Sequence, residues 1–187
     1  MARQGMILLK WMGRGPMDRD LLERVREDVE ATFLLPARLV AANDLPPECL
    51  VPGRRQHSST RILRWILSGV PSGAAKVLGI TDVDLCIPVL TFVFGEAQLN
   101  GVAAAVSTAR LQLTSDERPA PSALVEARLR KECLHELGHT FGLVHCPDAG
   151  CVMSRSNSVL EVDQKRAGFC RDCRRRLRAQ TEEGDRP

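Results

Sequence analysis

The sequence has no apolar run long enough to cross a membrane, no internal repeat and no low-complexity linker. A membrane span needs about eighteen or more apolar residues in a row, and the early run at residues 6–12 is short and broken by Lys10. This run also makes a poor secretory signal, so we expect a cytoplasmic protein without a membrane partner. Tyrosine is absent as well, so no phenol can take part in the chemistry.

Length and composition describe an ordinary globular chain. With 44% hydrophobic and 26% charged residues, the sequence fits neither a disordered nor a fibrous protein. Its 187 residues can bury a sizeable core in one domain and leave little room for two. The net charge of +3 is too mild to indicate a class of partner.

Cysteine usage points towards metal. The chain has seven cysteines, an odd number that cannot pair completely into disulfides. In the reducing compartment expected here they should remain thiols, and clustered thiols suggest a metal site.

Hydrophobic periodicity predicts an α/β fold. Strands are expected near residues 5–11, 38–42 and 75–80, with helices near 18–33 and 60–67 between them. A further strand is predicted at 101–108, with an ambiguous short one at 92–94. Ser122 is well placed to cap a long helix, and helical pattern returns at 159–178.

The helix that begins near Ser122 carries two different faces. An apolar stripe that can pack on a sheet consists of Val125, Leu129, Cys133 and Leu137. A polar face consists of Arg128, Glu132, His135 and His139.

The segment HELGHTFGLVH, at residues 135–145, has the spacing of an open zinc site. His135 and His139 are four residues apart on a helix, so their imidazoles can share one zinc ion. Glu136 projects about 100° round the helix from His135, where it can reach water at the metal without binding the metal. This arrangement predicts peptide hydrolysis by zinc-activated water, with Glu136 as general base.

Gly142 allows the chain to turn back under the metal. Glycine tolerates the left-handed conformation common just after a helix, so His145 can supply a third ligand and leave the fourth position open. The alternative is three histidines at chance spacing, but the full pattern should occur by chance only on the order of once in 100,000 chains of this length.

Two pairs of cysteines follow the histidine motif: Cys146 with Cys151, and Cys170 with Cys173. Four thiolates suit a closed tetrahedral zinc site, which would be structural because no position is left for water. A disulfide pair is the alternative, and redox chemistry at the CxxC is less favoured because it does not open a helix after a strand.

The sequence resembles the archaemetzincins, a family of cytosolic zinc peptidases of the metzincin clan. The resemblance lies in HELGHTFGLVHCPDAGCVM followed by CxxC, and in TDVDL, TFVFGEAQ and AVSTARL upstream. It implies one metzincin-like domain over residues 1–187, with a twisted mixed sheet and the active-site helix in 1–142 and a small zinc-knuckle subdomain in 143–187.

The resemblance also implies a role for each site residue. Catalytic zinc would lie on His135, His139 and His145, with Glu136 as base, and a second, structural zinc on Cys146, Cys151, Cys170 and Cys173. Met153 would form the methionine turn beneath the catalytic zinc, although an ordinary core methionine would have the same spacing.

The family resemblance gives two further expectations about substrate and rate. An edge strand, expected at residues 101–107, would pair with an extended peptide through main-chain hydrogen bonds, unless it is simply a well-packed strand. Some metzincins use a tyrosine at the zinc; here zinc, helped by a backbone amide, would have to stabilise the oxyanion, so hydrolysis should be slow or narrowly selective.

A rival hypothesis is an inert two-zinc module that contacts RNA or protein. Its support is a basic cluster around the last CxxC: Arg171, Arg174, Arg175, Arg176 and Arg178. A solvated helix face balanced by nearby acids explains that cluster better, so we expect a monomer with a peptide or protein substrate and no nucleic acid. Asp82 and Asp84 fit turn formation as well as an active-site loop.

Overall fold

The computed structural model of the chain describes residues 5–16, 18–40 and 44–183, with side chains up to residue 180. In chain order the elements are β1 (Met6–Trp11), α1 (Arg19–Phe33), β2 (Ala37–Val40), a 3-10 turn (Pro47–Cys49), β3 (His57–Ser58), α2 (Ser59–Ser68), β4 (Ala74–Thr81), β5 (Leu85–Ile87), β6 (Leu90–Val93), β7 (Gly95–Ala97), β8 (Ala103–Ser107), α3 (Ser122–Thr140), α4 (Val159–Gln164) and α5 (Arg171–Glu183).

The main sheet has five strands in the order β2-β1-β4-β8-β7. The first four run parallel, and β7 pairs antiparallel with β8 at one edge. The strands β3, β5 and β6 form a second, small sheet. The predicted α/β class with a mixed sheet is therefore confirmed.

Helices cover both faces of the main sheet, because successive side chains of a strand point to opposite sides. Ile7 and Leu9 of β1 enter a core with α1 and α3, whereas Leu8 between them enters a second core with Ile62 and Ile66 of α2. Each helix thereby buries its apolar side on one face of the sheet.

The helix α3, which carries His135 and His139, is buried over most of its length. Leu129, Cys133 and Leu137 of the predicted stripe are fully buried against the sheet, while Val125 is partly exposed. Ser122 is the first helical residue and not the cap; Pro121, with extended backbone, occupies the cap position. Proline fits there because the helix needs no hydrogen bond from its nitrogen.

The edge strand differs from the sequence-based expectation. The predicted edge segment corresponds to β8, which lies between β4 and β7 and is fully buried. Its small alanines allow a strand to be covered on both faces, a property that the sequence alone does not distinguish from room for a peptide. The true edge is β7, and the ambiguous strand at 92–94 corresponds to β6 of the second sheet.

The segment after α3 shares its core with the rest of the fold. Phe33 of α1 stacks on Phe141 with ring centroids 4.8 Å apart, and meets the edge of Phe169 at 5.9 Å. Within the described residues, no helix is both long and apolar enough to span a membrane.

Candidate metal centre and catalytic cleft

Three histidines meet at the C-terminal end of α3. His135 and His139 lie one turn apart, and their Nε2 atoms are 3.1 Å from each other. The ring of His145 lies 5.3 Å from that of His135 and 4.9 Å from that of His139. One ligand atom from each residue falls within 4.8 Å of the others, a set that can hold a metal ion.

Backbone carbonyls fix the orientation of two of these rings. The Nδ1 atom of His135 donates to the carbonyl of Val152 at 2.8 Å, and that of His139 donates to the carbonyl of Leu143 at 2.7 Å. A carbonyl can only accept, so the proton lies on Nδ1 and the Nε2 lone pair remains for a metal. His135 and His139 are therefore oriented as zinc ligands that bind through Nε2.

Desolvation favours the neutral form of the three imidazoles, which is the form that binds metal. It is the largest cause lowering the pKa of His135, His139 and His145, and the effect is greatest for the most buried, His135. A lowered pKa reduces the competition between protons and zinc for these rings.

A left-handed glycine ends α3 and directs the chain towards His145. Gly142 has φ 81°, and its N–H donates to the carbonyl of His139 at 2.9 Å. The next amide, of Leu143, donates back to Gly138 at 3.0 Å. This hydrogen-bond pattern closes the helix end and turns the following residues beneath it.

Glu136 lies between α3 and the edge strand β7. Only 6% of the residue is exposed, and its side chain lies directly against Gly95. Burial is the main cause that raises the pKa of its carboxyl group well above the ordinary value, and the nearby Glu132 adds to the effect.

Met153 is fully buried beneath the histidines. A methyl group placed on Gly138 of α3 would lie 2.5 Å from the Met153 sulfur, so the close approach depends on glycine. The carbonyl of Met153 accepts from the amide of Cys146 at 2.9 Å, which links this turn to the residue after His145.

The four cysteines of the downstream cluster converge, with their sulfur atoms within 4.8 Å of one another. All are free thiols; the Sγ atoms of Cys146 and Cys170 are 3.8 Å apart. The amide of Cys173 donates to Cys170 Sγ at 3.5 Å and is the main cause lowering the pKa of Cys170 to about 7. Four convergent thiols with an amide donor suit a closed thiolate site.

Two cavities flank the histidine site, and His135, Glu136 and His145 line both of them. One, of about 330 Å³, extends past the start of β7 to Arg155, Ser156 and Asn157. The other, of about 350 Å³, extends past the end of β7 to Leu99 and Val144. The site therefore lies in the middle of a cleft that runs along the edge strand.

The comparisons with known proteins identify the family. The model of Peptidase family M54 matches residues 72–179. The archaemetzincin of Methanopyrus kandleri is 41% identical over 177 residues, which cover 95% of this chain and 97% of that protein. The chain belongs to the archaemetzincins, Peptidase family M54.

Solved archaemetzincins share the whole architecture. The crystal structure from Methanopyrus kandleri matches with a TM-score of 0.84 at 38% identity and covers 96% of this chain and 97% of that one. The structure from Archaeoglobus fulgidus, complexed with malonate, matches with a TM-score of 0.76 at 34% identity, covering 91% and 99%. The predicted class, a zinc metallopeptidase, is confirmed for this archaemetzincin.

A buried ion pair that the sequence did not predict lies beside the histidines of this archaemetzincin. Lys165 Nζ lies 3.2 Å from Glu132 Oε1, and the two side chains are 1% and 4% exposed. The only local sign is that Glu132 precedes His135 by three residues on the same helix face.

The two acids of the segment TDVDL have structural partners. Asp82 accepts from the amides of Arg14 at 2.8 Å and Gly15 at 2.7 Å. Asp84 pairs with Arg110, whose Nη2 lies 2.9 Å from a carboxylate oxygen. Both carboxylates thus hold together segments that are distant in sequence, and neither of the two sequence-based interpretations, a local turn or an active-site loop, described this role.

Proposed function

We propose that this archaemetzincin hydrolyses peptide bonds at the three-histidine site, with zinc on His135, His139 and His145 and Glu136 as general base. The observation that carries the proposal is that His135, Glu136 and His145 line both cavities of the cleft. A peptide that fills both cavities must pass its scissile bond across these side chains.

Zinc, when bound, supplies Lewis acidity that makes water acidic near neutral pH and polarises a carbonyl. The protein's own part in the reaction is proton transfer. One carboxylate oxygen of Glu136 accepts the proton of the attacking water, and the resulting acid then donates that proton to the leaving amine. The buried position of Glu136 suits this second step, because burial favours its protonated form.

The free edge of β7 orients the substrate. In its antiparallel pairing, Phe94 and Gln98 direct backbone groups towards β8, so Gly95 and Ala97 direct theirs to the open side. An extended peptide that pairs antiparallel with this edge has its N-terminal part near Leu99 and its C-terminal part near Phe92. The cavity at Arg155 then takes residues after the scissile bond, and the cavity at Leu99 takes residues before it.

The cysteine cluster would hold a second, structural zinc. Support comes from the position of the cluster. Cys146 directly follows His145, and the amide of Cys146 donates a hydrogen bond to the carbonyl of Met153. A metal on these thiolates would fix the loop that presents His145, because one short segment belongs to both sites. Without a tyrosine, stabilisation of the oxyanion falls to zinc and to backbone amides of the cleft.

The substitution Glu136→Gln tests the proposed base. It keeps the size of the side chain and removes its ability to accept a proton, so the protein should retain its zinc while peptide cleavage falls on the order of 10²- to 10⁴-fold. Glu48→Gln, at an exposed position on the 3-10 turn, should cleave like the wild type. Retained turnover in a Glu136→Gln preparation free of wild-type enzyme would rule out Glu136 as base, and an inactive wild type would favour the inert-module alternative.

A further inference from the structure

The cavity that takes residues after the scissile bond, here named the primed cavity, has an unusual polar wall. It lies between the edge at Phe92 and Gly95 and the segment Arg155, Ser156 and Asn157, two residues after the Met153 turn. The opposite cavity instead exposes the apolar side chains of Leu99 and Val144, which are 59% and 51% exposed. Both cavities have partly apolar walls, but Arg155 gives the primed cavity a cationic side chain that the residues lining the opposite cavity lack.

Arg155 brings a positive charge to the primed cavity. Glu132 also lines it, but this carboxylate is already paired with the buried Lys165. Arg155 is exposed, and within the described part of the chain no acidic group or carbonyl accepts a hydrogen bond from its side chain. The cavity thus contains the paired Glu132, the proposed base Glu136 and one guanidinium whose donors remain available to a ligand.

Ser156 gives a second, independent indication of a ligand. Its Oγ is buried and has no hydrogen-bond partner among the described residues. Proteins rarely bury a hydroxyl without a partner, since it loses its bonds to water and gains none in return. Ser156 itself is partly exposed and lines the cavity, so a rotation of its side chain can bring the hydroxyl to a bound substrate and recover that loss.

We propose that Arg155 and Ser156 form a carboxylate-binding subsite for the residue that follows the scissile bond. This inference rests on the proposed peptidase function and on the antiparallel direction of the substrate. A guanidinium and a hydroxyl donor beside each other fit the oxygens of a carboxylate. That carboxylate can belong to an acidic side chain or to the free C-terminus of a short peptide, and both place the same group in the cavity.

Matched peptides distinguish the two sources. In the first pair, the residue after the scissile bond is Glu or its neutral isostere Gln within an otherwise identical peptide. In the second pair, the peptide ends at that residue with a free carboxylate or with an amide. In the pair whose carboxylate reaches the subsite, kcat/KM should be higher for the carboxylate peptide than for its neutral partner. Because Arg155 is exposed to water, we expect this ratio to be about fivefold.

Three variants assign the preference to the subsite. Arg155→Gln should bring the acid-to-amide ratio close to one, and Ser156→Ala should lower it while leaving thermal stability unchanged or higher. Arg64→Gln removes an exposed arginine of α2 that lines neither cavity, and should leave the ratio as in the wild type. Ratios near one for both pairs in the wild type, or a ratio that survives Arg155→Gln, would overturn the proposal.

A binding measurement keeps this test separate from the peptidase proposal. If zinc-loaded wild type cleaves no peptide, peptide hydrolysis fails, but the subsite can still be titrated with succinic acid monohydroxamate and with its terminal amide analogue. Calorimetry should then show tighter binding of the acid than of the amide, and loss of that difference in Arg155→Gln. Equal binding of the two probes by the wild type would disprove the subsite.

Discussion

Gly95 of the edge strand lies directly against the side chain of Glu136. A methyl group built on Gly95 would come within 2.6 Å of Glu136 Cγ and 2.7 Å of its Oε1. The carbonyl of Ala105, also at 2.7 Å, blocks a shift of that methyl group towards β8. The absence of a side chain at Gly95 is therefore what allows α3 and β7 to hold the carboxyl group between them.

Gly95→Ala should displace Glu136 without touching the histidines. Since a shift of about 1 Å in a reacting group can cost about a hundredfold in rate, we expect kcat to fall between about tenfold and a hundredfold with zinc content unchanged. Gly69→Ala serves as control, because a methyl group there meets nothing within 4 Å and the site is the end of α2. Equal activity of the two variants in a peptide assay would show that the Gly95 contact does not position Glu136.

Cys170→Ser tests the proposed structural zinc site on the four cysteines. A hydroxyl is a poor zinc ligand, so metal content should fall from about two ions to about one per chain, with a lower unfolding temperature. Because the cysteine loop presents His145, peptide cleavage should also weaken. Cys86→Ala removes a buried cysteine outside both clusters and should keep the metal content of the wild type. Unchanged zinc in Cys170→Ser would contradict a four-thiolate site.

His57 should make the fold sensitive to mild acid. Burial lowers the pKa of His57, with a smaller contribution from Arg14, whose Nη2 lies 3.3 Å from Nε2. In the unfolded chain the pKa is about 6.5, so below that pH the unfolded state takes up the proton more readily. The free energy of unfolding must therefore fall as the pH decreases below about 6.5.

His57→Gln removes this titration and should flatten the pH dependence between about pH 7 and 5. Urea unfolding of zinc-loaded wild type and variant measures the effect, and the difference between the two slopes isolates His57, since both proteins keep the other titrating groups. Parallel slopes would mean that His57 is protonated as easily in the folded state as in the unfolded one.

Local features of the chain could be predicted from the sequence. The spacing of His135 and His139 and the glycine at 142 follow from the period of a helix and from the left-handed geometry after its last turn. The apolar stripe of α3 was evident for the same reason. Each of these features depends on residues within a few positions of one another, where the backbone itself fixes their relation.

Features that depend on distant residues could not be predicted. The alanines of β8 suit an edge strand and a covered strand equally, and only the pairing with β7 shows which one it is. The ion pair of Glu132 with Lys165 joins residues 33 positions apart. The sequence gives no sign that Ser156 is special, because only the structure shows that its hydroxyl is buried without a hydrogen-bond partner among the described residues.

Alanine substitutions at Gly142 and Gly53 distinguish the cost of backbone strain from an effect on the position of His145. Gly142 and Gly53 both have positive φ, 81° and 75°, so alanine should cost about 1 kcal/mol of stability at either position from strain alone. At Gly53 a methyl group meets nothing within 4 Å, whereas at Gly142 it lies 3.2 Å from Gln180 Oε1 on α5.

Gly142→Ala should therefore lose stability and also weaken zinc binding, because His145 reaches the metal site only through this turn. Gly53→Ala should lose a similar amount of stability and keep the zinc affinity of the wild type. Urea unfolding gives the first quantity, and competition with a chelator gives the second. Equal zinc affinity in the two variants would mean that the loop to His145 does not need the left-handed residue, and that its position is set by the cysteine cluster instead.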